Sequence, residues 1–247
     1  MKPDAHEQAK AANRRLYDAL GANYELADGR RGAELRAWLE KRIAAIRAET
    51  AGGTLLDLGT GTGFVLSCAE GIFEMRIGVD VSARVLPAAE QRGAFFAAAD
   101  CDSLPFRGAS FDAVTCFAVL HHLHSHEALL REVARVLKPG GIFYSDHDMD
   151  AAFARRFAWP LAAYRKLRKS EQGYERLGID KKLYAQAEVH SKGIDSAAIL
   201  SLLRRCGLEP SPKYHWRGLN PLADKIFGER GYWRGVAPLF SCVARKG

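Results

Sequence analysis

The chain has 247 residues, 48% of them hydrophobic and 26% charged, which is enough for one elaborated α/β domain and excludes wholesale disorder. No run approaches the roughly 20 apolar residues that cross a bilayer. The polar start MKPDAHEQAK lacks the apolar core of a secretory signal, so a cytoplasmic protein without membrane insertion is expected. The formal charge of +7 is uneven, −4 over residues 1–150 and +11 over residues 151–247. That basic half suits an anionic acceptor or RNA, and equally a solvated face.

In chain order, Leu35, Leu39, Ile43 and Ile46 recur at helical spacing within Glu34–Glu49. Apolar runs of strand length follow at Thr54–Leu58, Arg76–Val79, Ala94–Ala98, Phe111–Phe117 and Gly141–Ser145, with helix-like stretches at Phe64–Glu70, Ala83–Arg92 and His126–Leu137. Lys138-Pro139-Gly140-Gly141 reads as a stop and a turn. This alternation predicts a parallel sheet covered on both faces. Asp150–Lys192 is an insertion rich in Arg, Lys and aromatics, in which Pro160 must start or kink a helix. Asp195 can cap a helix ending at Gly207, and Pro238–Arg245 reads as a final strand. The whole is expected to be one domain, with residues 1–50 as a helical lid, 51–149 as the core, 150–192 as an acceptor-side insertion and 193–247 as the end of the sheet. The five cysteines are scattered and never paired as CxxC, so neither a disulfide framework nor a zinc site is expected.

Chemistry concentrates at the strand ends. Gly59, Gly61 and Gly63 let the backbone turn after the first strand and approach a ligand, with Thr60 inside that turn. Asp57, two residues before the first glycine, is placed to favour a cationic group such as an α-amine. Asp80, followed by Val81, ends the next strand, where a carboxylate can accept from both ribose hydroxyls; a helix N-cap is its alternative role. Asp100 follows the third strand and can accept from an adenine amino group, while the backbone of Cys101 contacts the ring.

The ordered segments LLDLGTGTG, GVDVS, ADCDSLPF, SFDAVTCFAVLHHL and LLREVARVLKPGG resemble the class I S-adenosylmethionine-dependent methyltransferases, in their small-molecule branch, from about Tyr17 to Phe143. The resemblance implies a Rossmann-like, doubly wound α/β fold with a mostly parallel seven-stranded sheet and an antiparallel last strand. It implies S-adenosyl-L-methionine as cofactor and S-adenosyl-L-homocysteine as product. It places Phe117 and Ala118 at the sulfonium, puts His122 among the cofactor residues, and makes Tyr17 and Tyr24 candidates to close the pocket. A nicotinamide-dependent dehydrogenase would instead show GxGxxG spacing.

The resemblance further implies in-line methyl transfer, with a general base only where the acceptor must lose a proton. Candidates follow the fourth and fifth strands: His147 is the first choice and His121 the second. The segment SDHDMD also carries metal-ligand types, but adjacent residues point apart and no metal is assigned. A small or medium-sized metabolite is the expected acceptor, anionic or aromatic, with Trp159, Trp216 and Trp233 available for stacking. RNA is the alternative acceptor, and a cofactor-binding protein without catalysis is a third reading.

Overall fold

The computed structural model describes residues 5–21, 32–87, 93–168, 180–219 and 221–247. Seven strands form one sheet in the order β3-β2-β1-β4-β5-β7-β6. They are β1 Thr54–Leu58, β2 Met75–Asp80, β3 Ala94–Ala98, β4 Phe111–Phe117, β5 Leu137–Met149, β6 Leu208–His215 and β7 Leu239–Lys246. β1 to β5 pair in parallel, and β7 runs antiparallel to both β5 and β6. The expected α/β fold with an antiparallel last strand is therefore the observed one.

Period-two alternation explains why the central strands read as unbroken apolar runs. Leu56, Leu58, Val114, Cys116 and Phe143 enter one core, while Leu55, Ala113, Ile142 and Tyr144 enter the other. The second core is closed by α2 (Ala33–Ala48), whose Leu35, Trp38, Leu39, Ile43 and Ile46 form one buried stripe, and by α3 (Phe64–Cys68). The first is closed by α4 (Glu127–Val136) and by α8 (Ser196–Arg205). Asp195 caps α8, accepting from the backbone N–H groups of Ala197 and Ala198 at 3.1 and 3.4 Å.

Two sequence readings change, and one strand was not read. The helix expected over Ala83–Arg92 is a turn as far as residue 87, and its remainder lies outside the described residues. The Lys138–Gly141 turn lies inside β5, where the register with β4 shifts between Phe111 and Ala113 and Gly140 has φ 74°. β6 falls on LEPSPKYH, a segment to which the sequence reading assigned no element. Its Pro210 and Pro212 are tolerated because β6 is an edge strand with one unpaired side.

The insertion after β5 is helical: α5 (Ala151–Arg156), α6 (Ala158–Arg168) and α7 (Lys181–Ala187). The break falls at Phe157, so Pro160 sits in the first turn of α6, where its missing N–H costs nothing. Ala187 of α7 shares a core with Ala12, Leu16 and Leu20 of α1 (Ala5–Leu20), so the insertion holds the N-terminal helix over the sheet ends. A last short helix, α9, spans Pro221–Phe227. Among the described residues no helix is long and apolar enough to cross a membrane.

Candidate functional site

At the carboxyl ends of β1, β2 and β4, a cavity of about 810 Å3, measured out to its open mouth, lies beneath α1. Its floor is the turn after β1. Gly59 and Gly61 adopt φ of 65° and 53°, and a Cβ at Gly59 would lie 2.5 Å from Val119 Cγ2. Only glycine satisfies both the backbone and the packing there. Thr60 and Gly63 hold this turn rather than line it: Thr60 N–H donates to Val79 O at 3.0 Å, and Gly63 N–H to Thr60 O at 2.9 Å. Asp57 lies buried below, accepting the Thr115 hydroxyl at 2.7 Å.

Asp80 and Val81 line the cavity. The Asp80 carboxylate accepts from Gly61 N–H and Ser82 N–H, both at 3.0 Å, one on each oxygen. Such a group has about four lone-pair directions, so acceptor capacity remains on both oxygens. Burial pushes its pKa up despite those donors. No helix follows Asp80 among the described residues; it instead holds the turn at Ser82, whose own hydroxyl goes to Asp18 at 2.6 Å.

Asp100 and Cys101 line the far end. Asp100 accepts from Asp102 N–H at 2.9 Å and from Lys10 Nζ at 2.8 Å, and Lys10 also meets Asp102 at 2.7 Å. Burial opposes the charge on Lys10, but hydrogen bonds to the two carboxylates outweigh it and raise its pKa. Burial pushes the Cys101 thiol up, which keeps it protonated. Phe117, Ala118 and His122 complete the opposite wall. Ala118 has φ 57°, a strained value for alanine, fixed by its N–H donating to Asp146 O at 2.8 Å.

The roof went largely unread in the sequence. His6, Lys10, Asn13 and Tyr17 of α1 all line the cavity, and their spacing of four, three and four residues is one helical face. That periodicity was the available signal, masked by their polar character. Asn13 donates to His122 O at 3.0 Å, and Tyr17 Oη meets His122 Nε2 at 2.7 Å. His122 is held neutral, its pKa well lowered by burial and then by neighbouring His121. Tyr24 lies outside the described residues.

The two candidate bases occupy different settings. His121 Nδ1 lies 2.7 Å from Asp148 Oδ1, an oxygen that also accepts His121 N–H at 3.0 Å; its Nε2 is 3.8 Å from Glu188. It stands beside cavity-lining His122, ring centroids 3.9 Å apart. His147 is absent from the cavity wall: its ring stacks behind Phe117 at 4.3 Å, and its Nδ1 bonds Asp146 at 2.9 Å. Its Nε2 abuts Gly218, where any Cβ would collide with it. Asp146 also takes His215 Nε2 at 2.8 Å and the Tyr144 hydroxyl at 2.6 Å. Burial alone would raise Asp146, but the two imidazoles and their hydrogen bonds hold it well below the usual carboxylate range. Asp146, His147 and His215 are close enough to share an ion, as are His121, His122 and Glu188. In the former trio the second-shell partners that fix metal-bound imidazoles are lacking, since His147 Nε2 and His215 Nδ1 have no hydrogen-bond partner among the described residues. Direct hydrogen bonding accounts for it.

Of the stacking candidates, Trp216 is engaged with Phe227 at 4.6 Å, whereas Trp159 and Trp233 stand in solvent.

Comparison with known proteins agrees with this geometry. Residues 56–145 match the methyltransferase domain family. A demethylmenaquinone methyltransferase of Corynebacterium kroppenstedtii is 32% identical over 127 residues, 51% of this chain and 56% of that protein. A tRNA (carboxymethyluridine(34)-5-O)-methyltransferase of Arabidopsis thaliana is 31% identical over 51% of this chain and 30% of that one. The chain thus spans about half the length of the first relative and less of the second. A solved S-adenosylmethionine-dependent methyltransferase of Thermotoga maritima, 17% identical, shares the fold with a TM-score of 0.63, covering 95% of this chain and 99% of that one. The family and fold imply S-adenosylmethionine as the cofactor. Residues 56–145 therefore belong to the methyltransferase domain family, and the chain as a whole has the fold of S-adenosylmethionine-dependent methyltransferases.

Proposed function

We propose that the chain methylates a small or medium-sized metabolite, with its cofactor in the cavity between α1 and the strand ends. The observation that carries this reading is the cavity wall itself: a close-approach glycine turn, Asp80 in the middle and Asp100 at the far end, under a polar helix. Bound there, S-adenosylmethionine supplies an activated methyl group on a sulfonium and leaves as S-adenosylhomocysteine. Asp80 would accept the ribose hydroxyls, Asp100 and the Cys101 backbone would meet the adenine, and Asp57 would support the turn beside the methionine portion. Phe117 and Ala118 would line the sulfonium end, with α1 excluding water. Alignment of the two reactants supplies roughly 7–11 kcal/mol of barrier lowering.

Where the acceptor carries a proton, His121 takes it. With Nδ1–H donating to Asp148, Nε2, which faces Glu188 at 3.8 Å, is the ring nitrogen that would accept the proton. His147, sealed behind Phe117, is assigned a positioning role, holding that ring against the cavity.

The relatives named for menaquinone and ubiquinone biosynthesis make a reduced aromatic quinone the first acceptor to test. The +11 formal charge of residues 151–247 and the tRNA-modifying relative favour RNA as the second reading. The deciding experiment follows S-adenosylhomocysteine release with a panel of reduced quinones and with total tRNA. Turnover on the quinones supports the metabolite reading. Turnover on tRNA alone, with binding that falls steeply in salt, replaces it.

A further inference from the structure

Five large apolar side chains in the C-terminal half are exposed: Trp159 at 89%, Trp233 at 86%, Leu222 at 68%, Ile226 at 57% and Val236 at 37%. They sit on two segments, 152–159 and 222–236, which are joined through Ala152 and Phe153. Trp216 bridges Phe153 at 5.3 Å and Phe227 at 4.6 Å, and a Cβ at Gly235 would touch the Cβ of Ala152 at 3.6 Å.

Helix α9 shows how the face is built. Ala223 and Phe227, four residues apart, turn toward the protein. Leu222 and Ile226, also four apart, turn outward with Lys225 between them. A helix that serves only to cover the body would carry polar residues at those outer positions. Arg155, Arg156, Lys225 and Arg230 are exposed on the same two segments. Among the described residues, none of these four cations forms an ion pair, so their charge is available to a partner.

The partner must accept protruding apolar groups and supply negative charge. Tryptophan settles at the headgroup level of a bilayer, and Lys and Arg beside it are attracted to anionic lipid. RNA would use the tryptophans and cations but has no use for exposed Leu222, Ile226 and Val236. A second copy would set +11 against +11. We propose that this face docks on an anionic membrane surface, seating Trp159, Trp233, Leu222 and Ile226 among the headgroups.

The test uses the full chain with phosphatidylcholine vesicles, alone or with about 30% phosphatidylglycerol. Co-sedimentation is expected to be about tenfold greater with the anionic vesicles and to fall in about 0.5 M salt. Lipids brominated in their acyl chains should quench tryptophan fluorescence. The double variant W159S/W233S should lose about tenfold in vesicle binding while its melting temperature and cofactor affinity stay at wild-type values. Absence of co-sedimentation overturns the proposal, as does binding that the double variant retains. So does a variant that loses total-RNA binding or a light-scattering dimer in place of vesicle binding. Should the variant misfold, quenching of the unaltered chain by brominated lipid decides: quenching supports the proposal and its absence ends it.

Discussion

Two imidazole–carboxylate clusters flank Phe117, built from the same residue types a few positions apart in sequence, and they suit opposite tasks. In one, Asp148 grips His121, whose side chain remains 22% exposed beside the cavity. In the other, Asp146 grips His147 and His215, whose side chains are 9% and 2% exposed. A local backbone defect separates them. Between Ser145 and Asp148 the pairing of β5 with β7 gains one residue on the β5 side, and His147 takes φ 67°. Such a bulge re-aims side chains and bends the strand. Imidazole and carboxylate in sequence therefore announce neither a base nor a structural pair; what separates the two clusters is the burial of the imidazole.

The largest expected effect probes the open cluster. His121→Ala should lower turnover by about 10²–10⁴ with an acceptor that must lose a proton, with cofactor affinity unchanged by calorimetry. Equal turnover in His121→Ala, with a large loss in His147→Ala, would invert the comparison. Next comes the sealed cluster: Asp146→Ala should cost about 3–5 kcal/mol of stability by urea unfolding, because two imidazoles and a tyrosine hydroxyl lose their buried partner. The same cluster predicts a pH dependence. The folded pKa of Asp146 is depressed, so its stabilisation is complete above the ordinary carboxylate value near 4 and is lost as pH falls through the folded value. The stability gap between the wild type and Asp146→Asn should accordingly narrow below about pH 4. A gap that stays constant on acidification would show that Asp146 is not the charged partner.

At the cofactor end, Asp80→Ala should weaken S-adenosylmethionine binding by about 1–3 kcal/mol, measured by calorimetry. Unchanged affinity would remove Asp80 from the ribose. The smallest effect is at Lys10, whose side chain is 20% exposed and thus partly screened. Lys10→Met should cost about 0.5–1 kcal/mol of cofactor affinity, seen as faster release that converges with the wild type in high salt. Slower release would mean that Lys10 competes with adenine for Asp100.

Most of the cavity wall was legible because strand ends carry their own markers. Gly59, Gly61, Asp80, Asp100 and Phe117 each sit at a change from apolar run to turn, and all line the cavity. The roof was legible only at Tyr17, because α1 otherwise meets the cavity with His6, Lys10 and Asn13, a polar face that by itself suggests solvent. The partners of the histidines were equally hidden. Asp148 meets His121 across 27 residues, and His215 meets Asp146 across 69, distances that only the parallel crossovers and the edge strand close.

The sequence alone determined the fold class, the glycine turn and the acids at the ends of β2 and β3, because hydrophobic periodicity and turn chemistry are local properties. Tertiary structure decided which face of α1 closes the cavity, which histidine keeps an exposed edge and which is sealed, and where the edge strand could tolerate two prolines. Those outcomes depend on burial and on contacts between residues far apart in the chain, and both arise only when the sheet assembles.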